Sequence, residues 1–322
     1  MTGVTVRVPA KLNLQLAVGP PRADGYHDLV TVFHAVSLFD EVTARPAERD
    51  AVSVSGEGAD RVPEDGDNLA LRAVAALRAE VDPGTRADDA GVHITIAKRI
   101  PVAAGLAGGS ADAAAALVAC NELWGAGAGQ PQLLEVAARV GSDVAFALLG
   151  GTAVGRGRGE RLTPALAPAT PYHWVLAFAD GQLSTPAVYA ALDRLRAAEA
   201  GRSAAKGGSA AKHGAAEPAL DAALMSALRS GDARQLGRAL SNDLQPAALS
   251  LFPALRKTLA AGLELGALGA LVSGSGPTCL FLAASADRAL DLAASLSGAG
   301  VCRSVARATG PVPGAAVVQA AR

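Results

Sequence analysis

The stretch Arg99-Ile-Pro-Val-Ala-Ala-Gly-Leu-Ala-Gly-Gly-Ser-Ala-Asp112 constrains the fold of this chain more than any other. A β-compatible run from Val92 to Ile96, V-H-I-T-I, precedes it, and an alanine-rich helical pattern follows from Ala111 to about Leu123. A strand, a glycine-rich bend and a helix start, in that order, build an anion site. Unpaired backbone N–H groups and the positive end of the helix dipole converge on the bend. Gly105, Gly108 and Gly109 let the backbone approach a phosphate closely and reach φ > 0 where a turn needs it. These residues predict a nucleotide-phosphate loop; the plainer alternative is glycines kept for packing alone. Exclusion narrows the type. A Walker A loop needs Gly-Lys-Ser/Thr, and no Gly-Lys dipeptide occurs in the chain. The G-x-G-x-x-G spacing fails, and a G-x-S-x-G elbow around Ser110 would need glycine where Asp112 stands.

What surrounds that loop follows from length and composition. The 322 residues suffice for one large or two ordinary domains. Half are hydrophobic but only 3% aromatic, so alanine, leucine and valine must fill the core. A formal net charge of −1 argues against a nucleic-acid surface or an anionic-membrane anchor. Cys120, Cys279 and Cys302 are too few, and odd in number, for a disulfide framework, which favours a reducing compartment. The chain enters a strand pattern (V-T-V-R-V) without an apolar leader, and holds no run of about eighteen apolar residues. A soluble, cytoplasmic protein is expected.

Residues 4–58 alternate β-branched and polar residues, with turns at Gly19-Pro20-Pro21 and Ala23-Asp24-Gly25. A helix is predicted from Asn68 to about Glu80, capped by Asp67 or Asn68, and another from Pro131 to Val140. A second half starts near residue 160, with a strand over 174–178 and a helix over 186–198. Residues 200–217 are low in complexity and lack a hydrophobic face, so a mobile surface insertion is expected there. Helices near 218–229, 232–241, 253–265 and 287–297 and strands near 267–272, 278–283 and 301–307 complete the chain. The fold class predicted is α+β in two domains, 1–160 and 161–322.

The loop has company. Pro9-Ala-Lys-Leu-Asn-Leu14, the loop itself and Val272-Ser-Gly-Ser-Gly-Pro277 occur in that order. Together they resemble the three motifs of the GHMP small-molecule kinases. Arg22-Ala-Asp-Gly-Tyr-His27, Asp67-Asn68-Leu69, Lys98-Arg99-Ile100-Pro101, Gly141-Ser142-Asp143-Val144 and Thr185-Pro186 extend the match over most of the chain, with 200–217 outside it. The resemblance implies an N-terminal domain like domain 2 of ribosomal protein S5 and a ferredoxin-like C-terminal domain. It implies transfer of the γ-phosphoryl group of ATP, with Mg2+, to an alcohol. Among members it is similar to those whose acceptor is the tertiary 2-hydroxyl of a cytidine diphosphate-linked methylerythritol. The partner implied is thus a small molecule, with no nucleic acid or membrane, the protein being a monomer or homodimer.

The resemblance also implies site residues. Asp143 matches the catalytic aspartate and Lys11 its lysine partner. Taken singly, Lys11 is one lysine in a strand and Asp143 an ordinary helix-end residue; their joint place in matched motifs carries the assignment. A weakly acidic tertiary alcohol needs a positioned base and charge neutralisation, which this pair supplies. Pro101, Val102, Ala103, Ala104, Gly105, Leu106, Ala107, Gly108, Gly109 and Ser110 are the expected triphosphate loop, with Ser110 facing either phosphate or magnesium. The metal ligands themselves are left open. Asn68 and Lys98 match the adenosine side. Tyr26 and Tyr189 are expected to stack on cytosine, worth about 1–3 kcal/mol per stack. His27 is expected at the base edge, Asn13 and Thr185 at the substrate, and Gly274, Ser275 and Gly276 at substrate or phosphates. His27 and His34 lack the accompanying cysteine or acidic spacing of a zinc site. Many relatives have glycine where Ala103, Ala104 and Ala107 stand; alanine there is expected to keep ordinary backbone angles. The competing functions are a homoserine- or mevalonate-type kinase of the same family and a non-catalytic nucleotide-binding module.

Overall fold

The computed structural model describes residues 3–81, 91–165, 171–205 and 217–320. Its first strand, β1 (Val4–Pro21), shows how the sequence builds both core and site. Val4, Val6, Val8, Ala10, Leu12 and Leu14 alternate onto one fully buried face. The opposite face is exposed at Arg7 but buried at Lys11, Asn13 and Gln15, where the rest of the molecule covers it. β1 pairs antiparallel with β2 (His27–Ala47), and the register shifts between Pro9 and Ala10 and again between Asn13 and Gln15. Lys11 and Asn13 thus lie between two irregularities, where local twist re-aims side chains.

Next in the chain come β3 (Ala51–Gly56), α1 (Leu69–Arg78), β4 (Gly91–Lys98), α2 (Gly108–Trp124), α3 (Gln130–Val140), α4 (Ser142–Leu149), β5 (Thr152–Gly157) and β6 (Arg161–Pro164). β4 pairs antiparallel with β2 and parallel with β3, while β5 joins β2 and β6. α2 is the central helix. Its alanines and leucine from Ala111 to Leu117 are buried on every side, which a helix achieves only when enclosed.

The remaining chain forms β7 (Tyr172–Phe178), α5 (Thr185–Ala205), α6 (Ala222–Ser230), α7 (Ala233–Ala239), β8 (Ser241–Asn242), α8 (Gln245–Leu251), α9 (Leu255–Glu264), β9 (Gly269–Val272), β10 (Cys279–Ala283), α10 (Ala286–Gly298), β11 (Ser304–Gly310) and β12 (Ala316–Gln319). β7, β9, β10 and β11 make an antiparallel sheet in the order β11-β7-β10-β9, the order of a ferredoxin-like lobe. The α+β class with two sheets is as the sequence predicts. Residues 160 and 161 fall at the β5–β6 turn, and β8 and β12 return to pair with β1, so the chain crosses between the sheets more than once. Residues 200–205, expected in a mobile insertion, continue α5; 206–216 lie outside the described residues. The expected helix at 253–265 is preceded by another, α8, which begins with Pro246 in its first turn and ends before Phe252.

His34 marks where the two sheets meet. Its ring is fully buried, edge-on to Tyr172 and Trp174 of β7, with Nδ1 2.9 Å from Thr152 Oγ1. A Cβ at Gly310 would sit 2.4 Å from its Nε2, so glycine is required by close approach. Burial lowers the His34 pKa from 6.5 to about 3. The unfolded chain therefore takes up a proton below 6.5 that the folded chain refuses until about 3. The stability contributed is fully present above the unfolded value and lost as pH falls toward the folded one. Urea midpoints are expected to drop from pH 7 to pH 4.5, and to drop less steeply in His34→Phe; parallel slopes would remove His34 as the cause.

Candidate active site

The loop before α2 is more strained than its sequence suggests. Gly105 has φ 76°, and Ala103 and Ala107 also adopt left-handed angles, φ 55° and 57°. Ordinary angles were expected at Ala103, Ala104 and Ala107; the structure overturns this for the first and last. An alanine in this region costs roughly 1–2 kcal/mol, which the surrounding packing must offset. The geometry has a use. Ala107 caps α2 with no side-chain acceptor, leaving the first N–H groups of the helix without a side-chain cap beside a cleft that Ala107, Gly108, Gly109 and Ser110 line. Ala107→Gly is expected to raise stability by about 1 kcal/mol, whereas the same change at helical Ala114 lowers it by at least that amount. Denaturant unfolding of the two variants checks the contrast; destabilisation by Ala107→Gly would refute the strain.

The cleft is about 880 Å³ and lies between the two sheets' lobes. Lys11 enters it from β1. Its backbone N–H bonds Leu106 O of the loop, and its Nζ donates to Asn13 Oδ1 at 2.7 Å and lies 3.7 Å from Asp143 Oδ2. Asn13 Nδ2 donates to Thr31 Oγ1, which donates to Gln15 O, so the amide orientation is set from behind. The ammonium also sits 5.4 Å over the Phe33 ring. Asp143 stands in the first turn of α4, about one-third exposed, and lines the cleft.

The opposite wall is the bend between β9 and β10. Ser273 Oγ donates to Gly105 O, and a Cβ at Gly105 would fall 2.2 Å from Ser273 O. Gly105 is therefore required twice, by its angle and by this approach. Gly274 packs beside Asn13 and Lys11, its O accepting from Asn242 Nδ2, while Ser275 Oγ is 2.8 Å from Thr185 Oγ1. Gly274, Ser275 and Thr185 line the cleft; Gly276 turns away to bond Ser273 O.

One end of the cleft is aromatic. Tyr26 is 55% exposed beneath the Arg158 guanidinium, His27 is buried, and Tyr189 lies 5.1 Å from the His27 ring. His27 Nε2 is 3.0 Å from Asp193 Oδ1. Burial pushes the Tyr189 hydroxyl up to about 12, with the Asp143 charge adding to it, so the phenol stays protonated. Thr31, Phe33, Arg158, Asp193 and Asn242 were not singled out by sequence. Only Asp193 left a usable signal, its i+4 spacing from Tyr189 on one helix.

Other expected residues lie elsewhere. Pro101 and Val102 line a separate recess of about 300 Å³, and Leu106 is buried. Asn68 caps α1 by accepting from Ala70 N and donates to Pro63 O. Lys98, expected beside adenosine, is sealed within the protein, its Nζ 2.5 Å from Asp40 Oδ2 and 2.7 Å from Asp112 Oδ2. Asp40 Oδ1 also accepts from the backbone N–H groups of Arg99 and Ile100. A Cβ at Gly108 would meet Lys98 Nζ at 3.0 Å, so this cluster directly underlies the glycine-rich loop. Burial pushes the Asp112 carboxyl up, the Lys98 charge opposes it, and the neighbouring Asp40 carboxylate adds to the rise. Among the described residues, no group of three or more His, Cys, Asp or Glu is arranged to hold a metal ion, and no helix is long and apolar enough to cross a membrane.

Comparison with known proteins finds relatives of the whole chain. The family profile "GHMP kinases N terminal domain" matches residues 68–151 and "GHMP kinases C terminal" matches 224–302. The 4-diphosphocytidyl-2-C-methyl-D-erythritol kinase of Thermobifida fusca (strain YX) is 57% identical over 325 residues, covering 98% of this chain and 99% of that protein. The crystal structure of a 4-(cytidine 5'-diphospho)-2C-methyl-D-erythritol kinase superposes with TM-score 0.72 at 33% identity, over 94% of this chain and 98% of that one. A homoserine kinase from Cytophaga hutchinsonii superposes with TM-score 0.73 at 22% identity, over 99% and 98% of the two chains, and speaks to the fold alone.

Proposed function

The chain belongs to the GHMP kinase family, and we propose that it phosphorylates the 2-hydroxyl of 4-diphosphocytidyl-2-C-methyl-D-erythritol with ATP, in the non-mevalonate route to isoprenoid precursors. The observation that carries this reading is one cleft holding the Lys11–Asp143 pair, the uncapped start of α2 and the Tyr26–His27–Tyr189 group. The α2 start receives the triphosphate through the N–H groups of Gly108 to Ser110. The acceptor lies with its base among the aromatic groups and its 2-hydroxyl between Asp143 and the γ-phosphorus. Asp143 takes the hydroxyl proton as the new O–P bond forms and the bond from γ-phosphorus to the bridging oxygen breaks, releasing ADP. Lys11 stabilises charge on the transferring group, and Asn13, which lines the cleft beside it, aims the ammonium.

Magnesium fits this chain as a companion of the nucleotide. The Ser110 hydroxyl at the cleft wall is the side-chain group that would help hold it beside the nucleotide phosphates. When bound it neutralises triphosphate charge. A cytoplasmic, reducing setting is supported by the three unpaired cysteines.

The direct test incubates the chain with ATP, Mg2+ and the diphosphocytidyl alcohol. One phosphate gained per ADP released is expected by mass measurement. Phosphorylation of homoserine or mevalonate instead would reject the acceptor, and nucleotide binding without transfer to any of them would reject catalysis.

A further inference from the structure

The aromatic end of the cleft contains a hydrogen-bonded pair that phosphoryl transfer does not use. Asp193 Oδ1 lies 3.0 Å from His27 Nε2, and among the described residues Asp193 pairs with no lysine or arginine. Arg158, which lines the same cleft, lies over the Tyr26 ring, Arg22 pairs with Asp24 and Asp28, and Arg196 with Asp243. Tyr189 and Asp193 are four residues apart on α5, so one helix face supplies both the ring against His27 and the carboxylate behind it.

We propose that Asp193 is a positioning residue that sets the tautomer of His27 and so makes the cleft select a base with an exocyclic amino group, cytosine over uracil. This inference rests on the cytidine-linked acceptor proposed above. A carboxylate only accepts, so of the two tautomers of an uncharged imidazole it holds the one with the proton on Nε2, which presents Nδ1 as an acceptor. Among the described residues Nδ1 has no hydrogen-bond partner and is not sealed from solvent, and His27 lines the cleft. Its lone pair is available to a ligand. Cytosine offers an amino donor at the position where uracil has a carbonyl oxygen. Uracil would set acceptor against acceptor, and Asp193 prevents the ring from switching tautomer to relieve this. Sites that hydrogen-bond one functional group reject analogues lacking it strongly.

Calorimetric titration with CDP and with UDP tests the inference on the full chain. The parent is expected to bind CDP at least about tenfold more tightly than UDP. Asp193→Ala weakens CDP about tenfold and leaves UDP within about twofold, so the ratio collapses. Asp193→Asn, which keeps the volume and lets either an amide oxygen or an amino group face Nε2, lowers the ratio to a few-fold. With the complete acceptor, the loss falls more on KM than on kcat. An unchanged CDP-to-UDP ratio in both variants overturns the inference alone, even if both affinities fall. A parent that binds neither nucleotide, or shows no preference, overturns it together with the base-site reading.

Discussion

Asp143→Asn is expected to lower kcat by about 10²–10⁴-fold, the range for loss of a positioned general base. The amide retains the shape of the side chain in the first turn of α4 but has no site for the acceptor proton. Lys11→Met removes the ammonium that stands 3.7 Å from Asp143 and 2.7 Å from Asn13, and is expected to cost about 10²–10³-fold in kcat. The double variant should fall little below the worse single variant, because two groups acting on one transition state do not contribute independently. Steady-state ADP release, with circular dichroism and nucleotide titration to verify fold and ATP binding, measures all three. Near-parent turnover in both single variants would falsify the assigned roles.

Lys98→Met should be the most destabilising single change in the N-terminal part of the molecule. Lys98, Asp40 and Asp112 have side chains 1%, 0% and 3% exposed, so removal of the one ammonium leaves two carboxyl groups in a sealed interior. Breaking such a buried pair costs about 3–5 kcal/mol, a large part of the roughly 5–15 kcal/mol that stabilises a typical protein. Lys98→Met combined with Asp112→Leu is expected to recover part of the loss, since Asp40 keeps its two backbone donors. Chemical denaturation reads both. A loss below about 1 kcal/mol for Lys98→Met would mean the ammonium does not offset the buried charge. Because Lys98 Nζ lies under Gly108, the ATP KM should rise in the same variant even where most molecules remain folded.

These two outcomes separate what was legible from what was not. The glycine-rich bend between β4 and α2, the strand-rich opening and the α+β class follow from patterns of a few neighbouring residues, because φ freedom, alternation and capping are local properties. Lys11, Asp143 and the aromatic residues were legible only as members of an ordered set of motifs. The burial of Lys98 was not legible, because the carboxylates that hold it lie 58 and 14 positions away. Asn68 was a plausible ligand and also a plausible cap; the second role uses its oxygen. Ala103 and Ala107 show the limit of propensity, since long-range packing holds both at angles that alanine alone avoids.

The sequence by itself determined that a glycine-rich bend opens a helix in an α+β protein, since strand, bend and helix are neighbours in the chain. Tertiary structure decided what that loop works with. Closure of β9–β10 onto Gly105 brings the second lobe against Lys11, the pairing of β1 with β2 sets Asn13 behind the ammonium, and α5 lays Tyr189 and Asp193 against His27. Each of these contacts joins residues far apart in sequence, and only the packing of the two lobes fixes their distances.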